Sequence, residues 1–142
     1  MRPATHIWRA PRNAIFLCTI RVPFFDLRNQ QQLMQLRLQP DAPGDPQLSL
    51  MPAAAGSQGL SVAYEAAVTG LVGTAIQTFA VSTITIQIDR TTIQKLLPFV
   101  SNGTEPGQEV PLAFDHLIAL PGAPLLPLIS GSFIIEPGVS IP

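Results

Sequence analysis

The sequence predicts an all-β domain, and three features carry that expectation. Hydrophobic side chains return at every second position in about seven short runs, β-branched residues crowd the most regular run, and clusters of Pro and Gly separate them. A period of two marks a strand with one buried face, because successive side chains leave a pleated backbone on opposite sides. Helical spacing occurs once.

In the first run Ala14, Phe16, Cys18, Ile20 and Val22 share one side while Thr19 and Arg21 take the other. Met34, Leu36 and Leu38 repeat the pattern opposite Gln35 and Arg37, and the turn Pro40 to Pro46 stops them, since proline withholds an amide and glycine tolerates positive φ. Leu48 with Leu50, then Leu60, Val62 and Tyr64, give two short strands around the small-residue stretch Pro52 to Gln58. Thr83 to Ile88 is the clearest strand, three isoleucines facing one way and Thr83, Thr85 and Gln87 the other. The period then changes: Ile93, Leu96 and Leu97 lie at helical spacing, Asp89 or Thr92 can cap, and Pro98 ends a helix of two turns or fewer. Ser101 to Gly107 reads as a loop. Val110, Leu112, Phe114, Ile118 and Leu120 alternate along one strand and Ile129, Phe133 and Ile135 along the next, joined through a tight turn at Pro121-Gly122. Short strands at this spacing describe an immunoglobulin-like antiparallel β-sandwich with one short helix.

The chain has 142 residues, which is one domain's worth. Residues 1–13 are expected to be an extended N-terminal arm and 14–142 a single β-sandwich domain. Charged residues make up only 12% against an ordinary share of about 25%, so much uncharged surface is left to pack against neighbours. Arg2, Arg9, Arg12, Arg21, Arg28 and Arg37 against Asp26 give the first 37 residues five net positive charges, and the remainder carries six net negative ones. That asymmetry suits head-to-tail packing, the basic end of one copy meeting the acidic face of another. Trp8, Arg9, Arg12 and Arg21 are therefore interface candidates, Trp and Arg being the commonest anchors. Trp8 has two readings: an arm inserted into a neighbouring subunit, or a segment folded back over its own sheet.

Chemistry finds little purchase. His116 follows Asp115, but strand neighbours point to opposite faces and His116 falls on the apolar side, as a satisfied core or interface histidine would. One Cys and two distant His leave no zinc-like spacing. Ser130-Gly131-Ser132 lacks the glycine-flanked nucleophile elbow and reads as a strand position that another backbone approaches closely. Gly70 to Gly73 lacks the Lys of a phosphate loop and reads as a loop or kink. No catalytic, cofactor or metal site is expected, and no nucleic-acid partner, since the arginines have only Trp8 and Phe16 beside them. A lone Cys18 gives no internal disulfide, and Ala14 to Ile20 is followed by Arg21 and Pro23 in place of a cleavage site, so no secretory leader is expected. Val68 to Val81 and Leu117 to Ile129 are interrupted before they reach a membrane span.

Phe114-Asp115, Ser130-Gly131-Ser132-Phe133 and Glu136-Pro137-Gly138-Val139 resemble the closing strands of a family of small tailed-bacteriophage proteins. That family includes the amino-terminal domain of baseplate upper proteins. Pro11 to Thr19 looks like its opening strand, Phe25-Asp26-Leu27 like its early loop, and Ile84 to Leu97 like its strand and short-helix crossover. The chain departs from the pattern at His116, where an apolar residue is usual, and at Asn13-Ala14, where a glycine-containing turn often precedes the strand. The resemblance implies a non-enzymatic structural protein of the virion, made in the host cytoplasm and placed on the tail, baseplate or neck. Its partners would be other virion proteins and copies of itself. Head decoration, or a non-viral β-sandwich module that binds protein or carbohydrate, are the alternatives.

Overall fold

The computed structural model describes residues 4–40, 43–96 and 109–136. Along them run β1 Ala4–Pro11, β2 Phe16–Pro23, β3 Gln32–Arg37, β4 Leu48–Leu50, β5 Gly59–Val72, β6 Ala75–Ile88, the helix α1 Arg90–Leu96, β7 Val110–Ala119 and β8 Leu125–Glu136. The strands form two sheets, one in the order β1-β8-β7-β3-β4 and one in the order β2-β6-β5. This is an all-β immunoglobulin-like sandwich. The triple β2-β6-β5 corresponds to the B, E and D strands, β8-β7-β3 to G, F and C, and β4 to the strand that variable-type domains add beside C.

Alternation fixes which face of each strand is core. In β3, Gln32, Met34 and Leu36 are buried while Leu33, Gln35 and Arg37 stay partly open, and β7 buries Leu112, Phe114, His116 and Ile118 in the same rhythm. Ile84, Ile86 and Ile88 of β6 meet them from the other sheet, all fully buried. Ile93 and Leu96 of α1 close one end of the core. The Ile93 amide donates to the Asp89 carbonyl (3.0 Å), which makes Asp89 the cap position, yet its carboxylate accepts from Gln87 Nε2 (3.1 Å). Pro98, expected to end α1, and the loop Ser101 to Gly107 lie outside the described residues. The Pro121-Gly122 turn forms as expected: the Ala123 amide donates to the Leu120 carbonyl (2.9 Å) and Gly122 takes φ 75°, the third-position geometry that glycine supplies in a type II turn.

The first segment corrects the expectation of an arm. Residues 4–11 are β1, which pairs parallel with β8 from Ala4↔Ile129 to Pro11↔Glu136 and so also departs from a wholly antiparallel sandwich. Trp8 is 6% exposed and Ala10 fully buried, while Thr5, Ile7 and Arg9 face outward. Ile7 beside Trp8 puts apolar side chains on both faces, so polarity does not mark a strand there, and a parallel partner more than a hundred residues away leaves no local signal. The Trp8 ring stacks on Phe114 with centroids 4.3 Å apart, and Phe16 meets Phe133 edge-on at 5.0 Å, so β1 supplies a central piece of the core. Beside it β8 is bare of a side chain at Gly131, whose φ is 154°; a Cβ there would collide with the His6 carbonyl of β1. The close backbone approach expected at Ser130-Gly131-Ser132 is this contact.

The second departure is length. β5 and β6 each run 14 residues, well past the runs that alternation marks. β2 ends with Pro23 opposite Val81, so Ala75–Phe79 continue with only β5 paired beside them. Ala66 and Ala67 form a bulge, after which the ladder resumes from Val68↔Phe79 to Val72↔Ala75. Gly73-Thr74 close it as a two-residue hairpin with positive φ at Gly73 alone, the pattern of a type II′ turn.

Candidate interaction surfaces

The part of β5 and β6 beyond the bulge is a two-stranded ribbon projecting from the sandwich end that also carries the β2–β3 and β7–β8 connections. Its root is built on Phe24, whose φ of 75° is rare for a bulky side chain. That backbone turn puts the Phe24 ring outside the core, 5.2 Å from Phe79, while the Phe24 amide donates to the Ala80 carbonyl (2.7 Å). The Phe79 ring in turn covers Gly70 across the ladder, where a Cβ would sit 3.1 Å from Cζ, an aromatic lying over a strand glycine. Ser82 anchors the root from within: its buried hydroxyl donates to the Phe25 carbonyl (2.7 Å) and accepts from the Leu27 amide (3.0 Å). The other face of the ribbon is open. Thr69 faces Thr78, and beyond them Leu71 and Ile76, a cross-strand pair, are 71% and 76% exposed. From Ala66 to Ala80 the chain has no ionisable side chain at all.

Two concave sites lie on the outer face of the larger sheet. An apolar cleft of about 300 Å³, at the end where β3 and β8 begin, is lined by Gln31, Gln32, Leu33, Met51, Pro52 and Leu125. Met51 is 64% exposed and Leu125 is exposed as well. Farther along the same sheet a polar cleft of about 380 Å³ gathers Gln35, Arg37, Asp115, Ser130 and Ser132. Arg37 is already committed there, donating to the Gly44 carbonyl (2.7 Å) and to Gln35 Oε1 (3.2 Å).

No protein-family model and no curated protein matches this chain.

The four residues proposed from sequence separate in space. Trp8 is sealed against Phe114 and Phe16 of its own chain, so insertion into a neighbour is overturned in favour of the folded-back reading. Arg9 is exposed on β1 and lies 3.0 Å from Glu109 and 3.9 Å from Glu136, so part of the charge asymmetry along the chain is answered within the chain. Arg12 is half-buried at the β1–β2 turn, and Arg21 is exposed on the outer face of β2 opposite Thr83. Farther along, Arg28 pairs with Asp26 (2.8 Å), stands over the Tyr64 ring at 4.3 Å, and holds the Asp26 carboxyl below its usual range through these hydrogen bonds. The basic residues thus do not converge on one patch.

His116 lies where alternation puts it. It is fully buried with Nε2 3.1 Å from Gln32 Oε1, while Asp115 points to the opposite, exposed face. Burial pushes the imidazole down to about 4, so the ring is neutral at pH 7. With Nε2–H donating to Gln32, Nδ1 is an acceptor that has no hydrogen-bond partner. Cys18 is half-buried and its thiol is raised by desolvation, which leaves it protonated near neutrality. Among the described residues no three of His, Cys, Asp or Glu come together as a metal-binding group. No helix among them is long and apolar enough to cross a membrane.

The ribbon and the apolar cleft are the surfaces that sequence reading missed. Leu71 beside Val72 and Ala75 beside Ile76 put apolar residues on both faces, so polarity does not show which face is out, and the cleft joins three distant segments. The missing charge from Ala66 to Ala80 was the available signal.

Proposed function

We propose that this chain is a structural protein of a tailed-bacteriophage virion, on the tail, baseplate or neck, working through contacts with other virion proteins and with copies of itself. One observation carries the reading: fifteen consecutive residues without an ionisable group, Ala66 to Ala80, are held into solvent as a β-ribbon. A lone two-stranded ribbon is marginal in water and exposed aliphatic side chains on it favour association, so such an element is built to be covered by protein. The resemblance of Phe114-Asp115, Ser130-Gly131-Ser132-Phe133 and Glu136-Pro137-Gly138-Val139 to phage closing strands supplies the setting. In this reading the chain catalyses nothing, takes no cofactor, and is delivered to the particle from the host cytoplasm.

A carbohydrate-binding module would use the polar cleft. The one aromatic among its lining residues, Phe114, turns its ring inward onto Trp8 and so offers no stacking platform to a sugar. The virion reading is tested by immunogold electron microscopy on purified particles with an antibody raised against the folded domain. Label at one fixed station on every particle is expected. Antigen confined to the particle-free fraction of the lysate would refute it.

A further inference from the structure

We propose that copies of this chain assemble head to tail, the β5–β6 ribbon of one seated in the apolar cleft between β3, β4 and β8 of the next. The proposal deepens the assembly reading by naming the chain itself as the ribbon's partner.

Ribbon and cleft are a matched pair on one molecule. The tip offers Leu71 and Ile76 side by side with nothing of their own chain above them. The cleft offers Leu33, Met51, Pro52 and Leu125 around about 300 Å³, with Gln31 and Gln32 the polar members of its lining. Neither surface contains an ionisable group, so docking removes apolar area from water without the several-kcal/mol penalty of burying an unpaired charge. The polar cleft holding Arg37 and Asp115 would impose that penalty on an uncharged ribbon, which decides between the two concavities.

Geometry also favours a neighbouring copy over self-closure. The ribbon continues the β2-β6-β5 sheet, whereas the cleft is on the outer face of the other sheet, so the sandwich itself stands between a copy's own ribbon and its own cleft. Both features lie at the same end of the sandwich, where β2 gives way to β3 and β7 to β8. Copies set side by side, front sheet to back sheet, can therefore join without inverting. Donor and acceptor surfaces differ, so the contact is heterologous; it repeats into a ring or an open filament, with each interior copy giving one ribbon and receiving one.

The test is complementation between two variants followed by native mass spectrometry over a concentration series. Leu71→Glu with Ile76→Glu spoils the tip, and Met51→Glu with Leu125→Glu spoils the cleft. All four residues are solvent-exposed, so circular dichroism matching wild type shows that both variants fold. Wild type is expected to form oligomers larger than a dimer, and each variant alone to need at least about tenfold higher concentration to associate. Mixed together, the two variants should give a one-to-one dimer that grows no further, because only one good tip and one good cleft remain. Wild type that stays monomeric, or variants that associate as wild type does, would overturn the proposal. Immunogold label on particles would in that case leave the virion reading standing, with a different protein over the ribbon.

Discussion

At His116 the structure makes a pH-dependent statement about stability. The ring is buried, donates to Gln32 and holds its second nitrogen without a partner in apolar surroundings, so protonation is resisted down to about 4 against 6.5 in the unfolded chain. The folded pKa is the depressed one, and the unfolded chain therefore binds the proton first. The contribution is fully present above about pH 6.5, declines as pH falls towards 4, and changes no further below that. Its size is on the order of 3 kcal/mol. Urea midpoints at pH 7 and pH 4.5 should therefore differ more for wild type than for His116→Leu, and equal differences would remove the imidazole as the cause. Two other residues test the β1–β8 seam. Gly131→Ala must push the His6 carbonyl aside from a backbone that side chains rarely adopt, and a loss on the order of 3 kcal/mol in chemical denaturation is expected. Trp8→Ala empties the space against Phe114 and Phe16 and should cost about 3–5 kcal/mol in the same assay; a loss under 1 kcal/mol would mean that β1 is dispensable.

Individual elements differ in how plainly the sequence announced them. The strands around Met34, Ile84 and Leu112 were legible because each buries one face and exposes the other, so the pleat's period is written in side-chain polarity. β1 was not, although its alternation is real, because a parallel edge strand is specified by a partner at the far end of the chain. The ribbon was hidden for the opposite reason: with neither face buried in the sandwich, its apolar residues obey no alternation at all. Its contribution to folding is correspondingly small. At protein concentrations low enough to keep the chain monomeric, replacing Leu71 and Ile76 with Thr should change the unfolding free energy by no more than about 0.5 kcal/mol, since both side chains then face solvent. A larger loss would show that the tip packs on its own domain.

Over the whole molecule, the uneven charge along the sequence becomes something milder in space. Arg9 reaches Glu109 and Glu136, so the basic first quarter is partly neutralised by distant segments brought beside it, whereas Arg28 pairs locally with Asp26. The Arg9–Glu109 pair is half-exposed at both ends, and Arg9→Ala should cost less than about 1 kcal/mol. Self-association through uncharged surfaces should likewise persist in high salt, where a contact led by arginines would weaken. Native mass spectra after exchange from high and low salt check this directly.

Polarity patterning alone determined that this chain is a two-sheet β protein, where its main turns lie, and that His116 faces inward while Asp115 faces out. These follow from local rules, the period of a strand and the conformations open to Pro and Gly. Only the tertiary structure decided that Trp8 belongs to the core, that the arginines scatter, and that a bare ribbon and an apolar cleft share one molecule. Each of those depends on contacts between residues far apart in the chain, and a pattern read along a line holds no information about which distant lines meet.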